Sequence, residues 1–288
     1  MTITSSAHVF IAGATGTAGG AIAARLKADG HAIVASTSDA LKKKGLEQLG
    51  YEAVIIDLAD ERGVALAIRD CAPDFVVNAA RGRTNAAVEE PLFAKHLADA
   101  SEATGITGMI YVSVFHADRK TGVPHFDVKA QIEGALAAKP FPVISLRPPT
   151  FMNLLVSPMV LGGVLEKGVF ASPSAPETRI GYIHADDVAK VASHCIKNNF
   201  KPDVFTLAGP EALSPIEISS RFSSALDKPI DVQQIPVDAI KQRAGPDLAA
   251  MAEYLNANDF VVTHPHYPNG FSPDLIQFDT ALIRKAIQ

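Results

Sequence analysis

Three glycines at a spacing of three, Gly13-Ala14-Thr15-Gly16-Thr17-Ala18-Gly19, separate two contrasting stretches. Before them runs the apolar segment His8-Val9-Phe10-Ile11-Ala12; after them Ile22, Ala23 and Leu26 recur at helical spacing. Strand, glycine turn and helix make the first half of a βαβ unit. The chemistry such a turn offers is anion binding. Gly13 can end the strand with a backbone angle that side chains resist, Gly16 lets the main chain approach a pyrophosphate, and Gly19 lets the helix pack close to the sheet. The unpaired N–H groups of the first helical turn then point at the phosphates, aided by the positive end of the helix dipole. Gly13, Thr15, Gly16, Thr17, Ala18 and Gly19 are therefore the candidate phosphate contacts.

A second set of reactive side chains clusters near the middle of the chain. His116 and His125 flank a loop through Gly122-Val123-Pro124, and an imidazole titrates near neutral pH, where it serves in proton transfer. Lys129 and Glu133 share one face of the helix that follows, to about Ala138. Phe115, Phe126, Phe151 and Met152 would form an apolar wall fit for a flat or hydrophobic substrate. His184-Ala185-Asp186-Asp187 opens a late helix, where carboxylates cap N–H groups, and His264-Pro265-His266 has no acid or cysteine beside it. No metal site is expected.

The elements that must position these groups follow from the apolar runs. A second strand, residues 32–37, ends Thr37-Ser38, the place where a dinucleotide fold meets the adenosine ribose. An acid there favours NAD; hydroxyl and basic groups favour a 2′-phosphate. With Thr37, Ser38 and then Lys42 and Lys43, the sequence predicts NADP, with NAD as the alternative, while Asp39 caps the next helix, 39–49. A third strand is expected over 53–58, a helix over 60–71, and a fourth strand over 75–80 ending Asn78-Ala79-Ala80. Arg81 and Arg83 follow in a polar loop, as surface charges or as ligands of an anionic group. A helix over 89–104 leads to a fifth strand, 109–114. This alternation is that of a doubly wound parallel sheet, α/β and Rossmann-like, which binds ligands beyond the carboxyl ends of its strands. Gly13, Thr37, Asn78 and Ser113 then lie along one crevice. Beyond residue 151 come helices near 214–227, 236–255 and 273–287, with an extended stretch at 230–235.

Composition sets limits on this picture. The 288 residues carry a formal net charge of −5 and no basic run beyond Lys42-Lys43-Lys44, so binding nucleic acid by bulk charge is not expected. Two cysteines, Cys71 and Cys195, in apolar helical surroundings read as buried free thiols. The N-terminus lacks the pattern of a secretory leader, and the most apolar stretch, 151–170, is interrupted by polar residues. The expectation is a cytoplasmic protein, monomeric or homodimeric, acting on a small molecule, with no membrane partner.

The glycine spacing resembles that of the short-chain dehydrogenase/reductase superfamily in its extended and atypical members. Pro124-His125-Phe126-Asp127-Val128-Lys129 through Glu133 is similar to the H-F-x-x-K-x-x-x-E helix of the NmrA-like group. Segments 145–153, 181–189 and 207–218 resemble later segments of that group in the same order, so the likeness runs from about residue 8 to 240. The resemblance implies an NAD(P)-binding protein, either a reductase or a redox sensor. It places Asp57 and Leu58 beside the adenine, Asn78, Ala79 and Ala80 on the cofactor floor, and Pro148 among the cofactor contacts. Lys129 takes the nicotinamide ribose, near Ser113. The superfamily's usual Tyr, four residues before the Lys, is replaced by His125, which leaves His125, His116 or a Lys129-held water as proton donor. The implied activity is hydride transfer to an apolar enone, quinone or related aromatic acceptor; the alternatives are an NAD(P)-sensing regulator and a cofactor-retaining isomerase or epimerase. Residues 1–150 would form the NAD(P)-binding core, joined by a strand near 204–208, and 151–288 a small substrate-side subdomain whose C-terminal segment, with His264 and His266, borders the substrate pocket.

Overall fold

A computed structural model describes residues 6–198, 200–258, 260–272 and 274–288. The first half of the chain alternates strictly: β1 (His8–Ala12), α1 (Thr17–Ala28), β2 (Ala32–Thr37), α2 (Ala40–Gln48), β3 (Glu52–Ile55), α3 (Glu61–Cys71), β4 (Phe75–Asn78), α4 (Ala86–Thr104), β5 (Gly108–Val112), α5 (Pro124–Ala137) and β6 (Val143–Arg147). The second half is mixed: β7 (Thr150–Phe151), α6 (Pro158–Lys167), β8 (Val169–Ser172), β9 (Ile180–Ile183), α7 (Ala185–Lys197), β10 (Asp203–Thr206), β11 (Glu211–Leu213), α8 (Pro215–Leu226), β12 (Asp231–Gln234), α9 (Val237–Ala244), α10 (Pro246–Ala257) and α11 (Thr280–Ile287).

Among the described residues one sheet has seven strands in the order β10-β6-β5-β4-β1-β2-β3, all parallel. The order reverses beside β1, so the carboxyl ends of β1 and β4 splay apart and open a crevice there. β10, the strand expected near 204–208, forms the edge. Both sheet faces are covered, which explains why the strands are apolar throughout. Val9, Ile11, Val77 and Ile110 pack against α1 and α7 on one face; Phe10, Val76, Met109 and Tyr111 meet α3, α4 and α5 on the other. A third core gathers Phe115, Phe126, Met152, Phe170, Phe222, Phe260 and Phe278 above the sheet's carboxyl edge.

Several boundaries differ from the sequence expectation: β4 and β5 each end two residues early, the helix expected over 236–255 is broken into α9 and α10 at Gly245 (φ +90°) and Pro246, and three further differences have a visible cause. β3 stops at Ile55 because Asp57 Oδ1 accepts from Ala59 N (2.9 Å), turning the chain. α4 starts at Ala86, three residues early, because the Glu89 carboxylate accepts backbone N–H groups just before it. The last helix starts at Thr280, capped by the Asp279 carboxylate on Leu282 N (2.8 Å). The segment 274–279 finds its partners elsewhere: Ile276 N donates to Asp187 Oδ2 (2.9 Å) and the Asp274 carbonyl accepts from Lys190 Nζ (2.6 Å). Residue 273, where that helix was expected to begin, lies outside the described residues.

Candidate functional site

The crevice at the switch in strand order holds a cavity of about 490 Å³. Gly13, Thr15 and Gly16 line it from the glycine turn; Thr37, Ser38 and Lys42 from the end of β2 and the start of α2; Asp57 and Leu58 from beyond β3; Ala79, Ala80, Arg81 and Arg83 from the loop after β4. Gly13 adopts φ +83°, and a Cβ there would stand 2.8 Å from the Ala80 nitrogen. At Gly19 a Cβ would stand 2.7 Å from the Gly13 carbonyl carbon. Turn, floor and helix therefore meet only because both side chains are absent. Gly16 occupies the N-cap of α1 with no side-chain cap, and the first turn carries no acid. The N-terminal dipole and N–H groups of α1 are left for an anion, so the turn fits a bound pyrophosphate. Thr17 is exposed at the first helical position, while Ala18 and Gly19 are buried behind the turn.

At the end of β2 the polar groups are already committed in part. Asp39 caps α2, its Oδ1 accepting from Leu41 N (2.8 Å) and Lys42 N (3.4 Å). The Thr37 hydroxyl accepts from Asp39 N (3.2 Å). The Ser38 hydroxyl, exposed, accepts from the Arg83 guanidinium. Asn78 is buried below the cavity and its Oδ1 accepts from Ala80 N (3.2 Å), so it shapes the floor from beneath.

Lys129 sits in a more enclosed setting. Its Nζ lies 2.9 Å from Glu90 Oε2, 3.4 Å from the Val112 carbonyl and 5.3 Å from the centre of the Tyr111 ring. Glu90 is only 4% exposed, and its Oε1 accepts from Gly82 N (3.2 Å), so the pair ties α5, α4 and the floor loop together. Burial pushes the Tyr111 phenol well above its usual range, with Glu90 and Glu133 adding to the effect. Ser113, just past the end of β5, is buried, and its hydroxyl and that of Tyr111 have no hydrogen-bond partner among the described residues. Glu133 shares the helix face of Lys129 but is paired with Arg147, at 2.6 and 3.0 Å.

The two histidines are each held by α10. His125 Nδ1 lies 2.8 Å from Asp247 Oδ2, and His125 N donates to Asp247 Oδ1 (3.1 Å). His116 is buried with φ +70°, its Nδ1 2.8 Å from the Tyr254 hydroxyl and its ring against Phe115 and Phe260. Burial lowers its pKa to about 4, with Arg119 acting the same way and Asp118 opposing, so the imidazole is neutral at neutral pH. Phe115 belongs to this aromatic cluster, Phe151 is half-buried, and Met152 is fully buried in the third core. Pro148 is buried, and its carbonyl accepts from Phe115 N (2.9 Å).

The remaining polar clusters have structural partners. His184 is the N-cap of α7, accepting from Asp186 N, and Asp187 pairs with Lys190 at 2.7 Å. Among the described residues no group of three acid, His or Cys side chains could hold a metal ion, and no helix is long and apolar enough to cross a membrane. The loop with His264 and His266 does not border the crevice: His266 N donates to the Thr206 carbonyl (2.8 Å) and its ring lies on Phe205, closing the sheet's edge at β10. Cys71 and Cys195 are free, and burial pushes their thiols up to about 11 and about 12.

Sequence reasoning missed Glu90, Asp247 and Tyr254. Each reaches its partner from a distant element, 39 residues away for Glu90 and 122 for Asp247, and no local pattern signals it.

Comparison with known proteins adds to the geometry. The NmrA-like family profile matches residues 5–269. An NAD(P)H azoreductase of Xenophilus azovorans is 24% identical over 81% of this chain and 79% of its own length. The Citrobacter triphenylmethane reductase solved with NADP(H) superposes with a TM-score of 0.77 at 15% identity, covering 97% of this chain and 99% of that one. The Escherichia coli NADPH-dependent quinone oxidoreductase solved with NADPH gives 0.69 at 22%, over 88% of each chain. A nucleoside-diphosphate-sugar epimerase of Staphylococcus aureus gives 0.74 at 16%, over 89% and 92%.

Proposed function

The chain belongs to the NmrA-like family, and from that premise we propose that it is an NADPH-dependent reductase of small apolar, conjugated acceptors. The observation that carries the reading is the capless, acid-free N-terminus of α1, set behind Gly13 and Gly19 at the mouth of the crevice. A bound NADPH would supply the hydride, from C4 of its nicotinamide. The glycine turn would hold the pyrophosphate, with Leu58 and Asp57 at the adenine and Ala79 and Ala80 under the sugar. The ammonium of Lys129, anchored by Glu90, would donate to the nicotinamide ribose, and the unpaired hydroxyl of the buried Ser113 supports a polar ligand atom beside it.

The acceptor takes one hydride and one proton. His125 is the better placed donor, because the Asp247 carboxylate orients it, whereas His116 is held neutral and suits hydrogen bonding. Phe115, Phe151 and the rings of the third core would bound the acceptor, which favours a flat aromatic molecule. Residues 151–288, apart from β10, would be the substrate-side part of the protein. The names of the azoreductase, triphenylmethane reductase and quinone oxidoreductase support this class of acceptor.

The test is a panel of quinones, enones and azo compounds with NADPH under single-turnover and steady-state conditions. Oxidation of NADPH by one class, lost by at least about tenfold in Lys129→Met, is the expected result. Tight nucleotide binding with no oxidation by any acceptor would replace the reductase with a sensor or an isomerase.

A further inference from the structure

His116, in the loop after β5, holds a backbone conformation that non-glycine residues seldom take, φ +70°, and its imidazole is almost wholly buried. Strain of this kind persists only where the surroundings over-determine it. Here Phe115 and Phe260 hold the ring, at 4.0 and 5.1 Å between centres, and the Tyr254 hydroxyl fixes Nδ1 at 2.8 Å.

The contact with Tyr254 decides where the imidazole proton sits. The Arg119 guanidinium, which can only donate, bears on the Tyr254 hydroxyl through a side-chain hydrogen bond, and burial keeps that phenol protonated. The phenolic proton is therefore directed at His116 Nδ1, which accepts it. Burial holds the imidazole neutral, so its single proton lies on Nε2. That Nε2–H makes no hydrogen bond among the described residues. A buried N–H of this kind requires a partner.

The same helix holds a second imidazole in the same way. His125 Nδ1 lies 2.8 Å from Asp247 Oδ2, and Asp247 and Tyr254 both belong to α10. Their seven-residue spacing is two helical turns, about 10 Å along the axis. Two phenyl rings bridge the histidines. Phe126 meets His125 edge-on at 4.7 Å and stacks on Phe260 at 5.7 Å, and Phe260 meets His116 edge-on at 5.1 Å. The result is an apolar strip with an imidazole at each end.

We propose that His116 is an acceptor-binding residue whose Nε2–H bonds one end of the acceptor while His125 serves the other, and that the site thereby selects para-quinones, with a carbonyl at both ends of the ring, over enones with one. Tyr254 is a positioning residue for His116. In the reaction the quinone gains one hydride, from NADPH, and one proton, and leaves as the hydroquinone. The proton comes from His125, which regains one from solvent. His116 keeps its own proton and polarises the far carbonyl, making the conjugated ring a better hydride acceptor. The inference rests on the reductase reading above and adds to it the group that tells one kind of acceptor from another.

The experiment has two arms, both on the full chain. In the first, imidazole nitrogens of 15N-labelled wild type are observed by NMR at neutral pH, with His116 assigned by its loss in His116→Asn. A neutral ring protonated at Nε2 is expected; protonation at Nδ1 overturns the inference. In the second, kcat/KM with NADPH is measured for a para-quinone and for a cyclic enone of similar size. Wild type is expected to favour the quinone by at least about tenfold, and His116→Asn to cut that preference by about 10- to 100-fold. Tyr254→Phe should cut it by about three- to tenfold and let the Nδ1-protonated ring appear beside the Nε2-protonated one. An unchanged NADPH affinity reports that each variant is folded. Wild type without a quinone preference, or a His116→Asn variant that keeps it, overturns the inference and leaves the reductase reading standing. Wild type that oxidises NADPH with neither acceptor overturns both.

Discussion

The two ends of the crevice are built in opposite ways. At the glycine end, contacts come from backbone N–H groups and short, exposed side chains, and neighbours in sequence are neighbours in space. At the Lys129 end, the lysine and the two histidines are buried or half-buried and each is matched to a partner from another element: Lys129 with Glu90, His116 with Tyr254, His125 with Asp247. The first end leaves the N–H groups of a capless, acid-free helix start open to the crevice. The second is a low-dielectric enclosure in which charge is already balanced, so removing one member leaves the other stranded.

This contrast orders the expected effects of substitution. Gly19→Val should be the most damaging, since the new side chain would displace the Gly13 carbonyl on which the turn depends. We expect nucleotide binding to fall by more than about 100-fold and stability by about 3 kcal/mol, read by titration and denaturant unfolding. A variant that binds normally would show that the turn is no phosphate cradle.

Lys129→Met comes next in stability terms. It leaves the Glu90 carboxylate buried without its cation, a loss of about 3 kcal/mol at neutral pH. The double variant Lys129→Met, Glu90→Gln should regain much of that stability, because Gln still accepts from Gly82 N while bearing no charge. Equal stabilities for the single and double variants would mean that the pair is not the balanced unit described here. At the glycine end no such rescue is available, and Arg83→Ala there should alter binding and spare folding.

The pattern also explains what was legible in the sequence. The Gly13–Gly19 turn, the first five strands and the Asp39 cap follow from local spacing, and the edge strand β10 from the family resemblance; the structure has all of them, with β3, β4 and β5 ending two or three residues earlier than expected. The helix start at Ala86 was not legible, because it depends on the Glu89 carboxylate folding back on its own N-terminal loop. Nor was the unwound stretch 274–279, whose backbone groups are satisfied by Asp187 and Lys190 some 84 to 89 residues away. Glu90, Asp247 and Tyr254 were invisible for the same reason. Arg83 was visible as a charge in a loop, but its contact with Ser38, 45 residues earlier, exists only because the parallel sheet brings the two opposite.

The smallest expected effect concerns pH at the Lys129 end. His116 has a folded pKa of about 4 against the ordinary 6.5, so the unfolded chain takes up a proton more readily in between. Its share of stability is therefore full above pH 6.5 and is lost as pH falls from there toward 4. His116→Asn tolerates the left-handed backbone and cannot titrate. Its melting temperature should fall less than that of wild type between pH 7 and 4.5, measured side by side. Parallel declines would assign the acid sensitivity to other groups.

The most direct test of the whole account is a fluorescence titration of the wild-type chain with NADPH and with NADH at low salt. The account predicts saturable enhancement of nicotinamide emission, with NADPH bound at least about tenfold tighter than NADH. Failure of either nucleotide to bind would contradict it at the glycine turn, from which every other assignment starts.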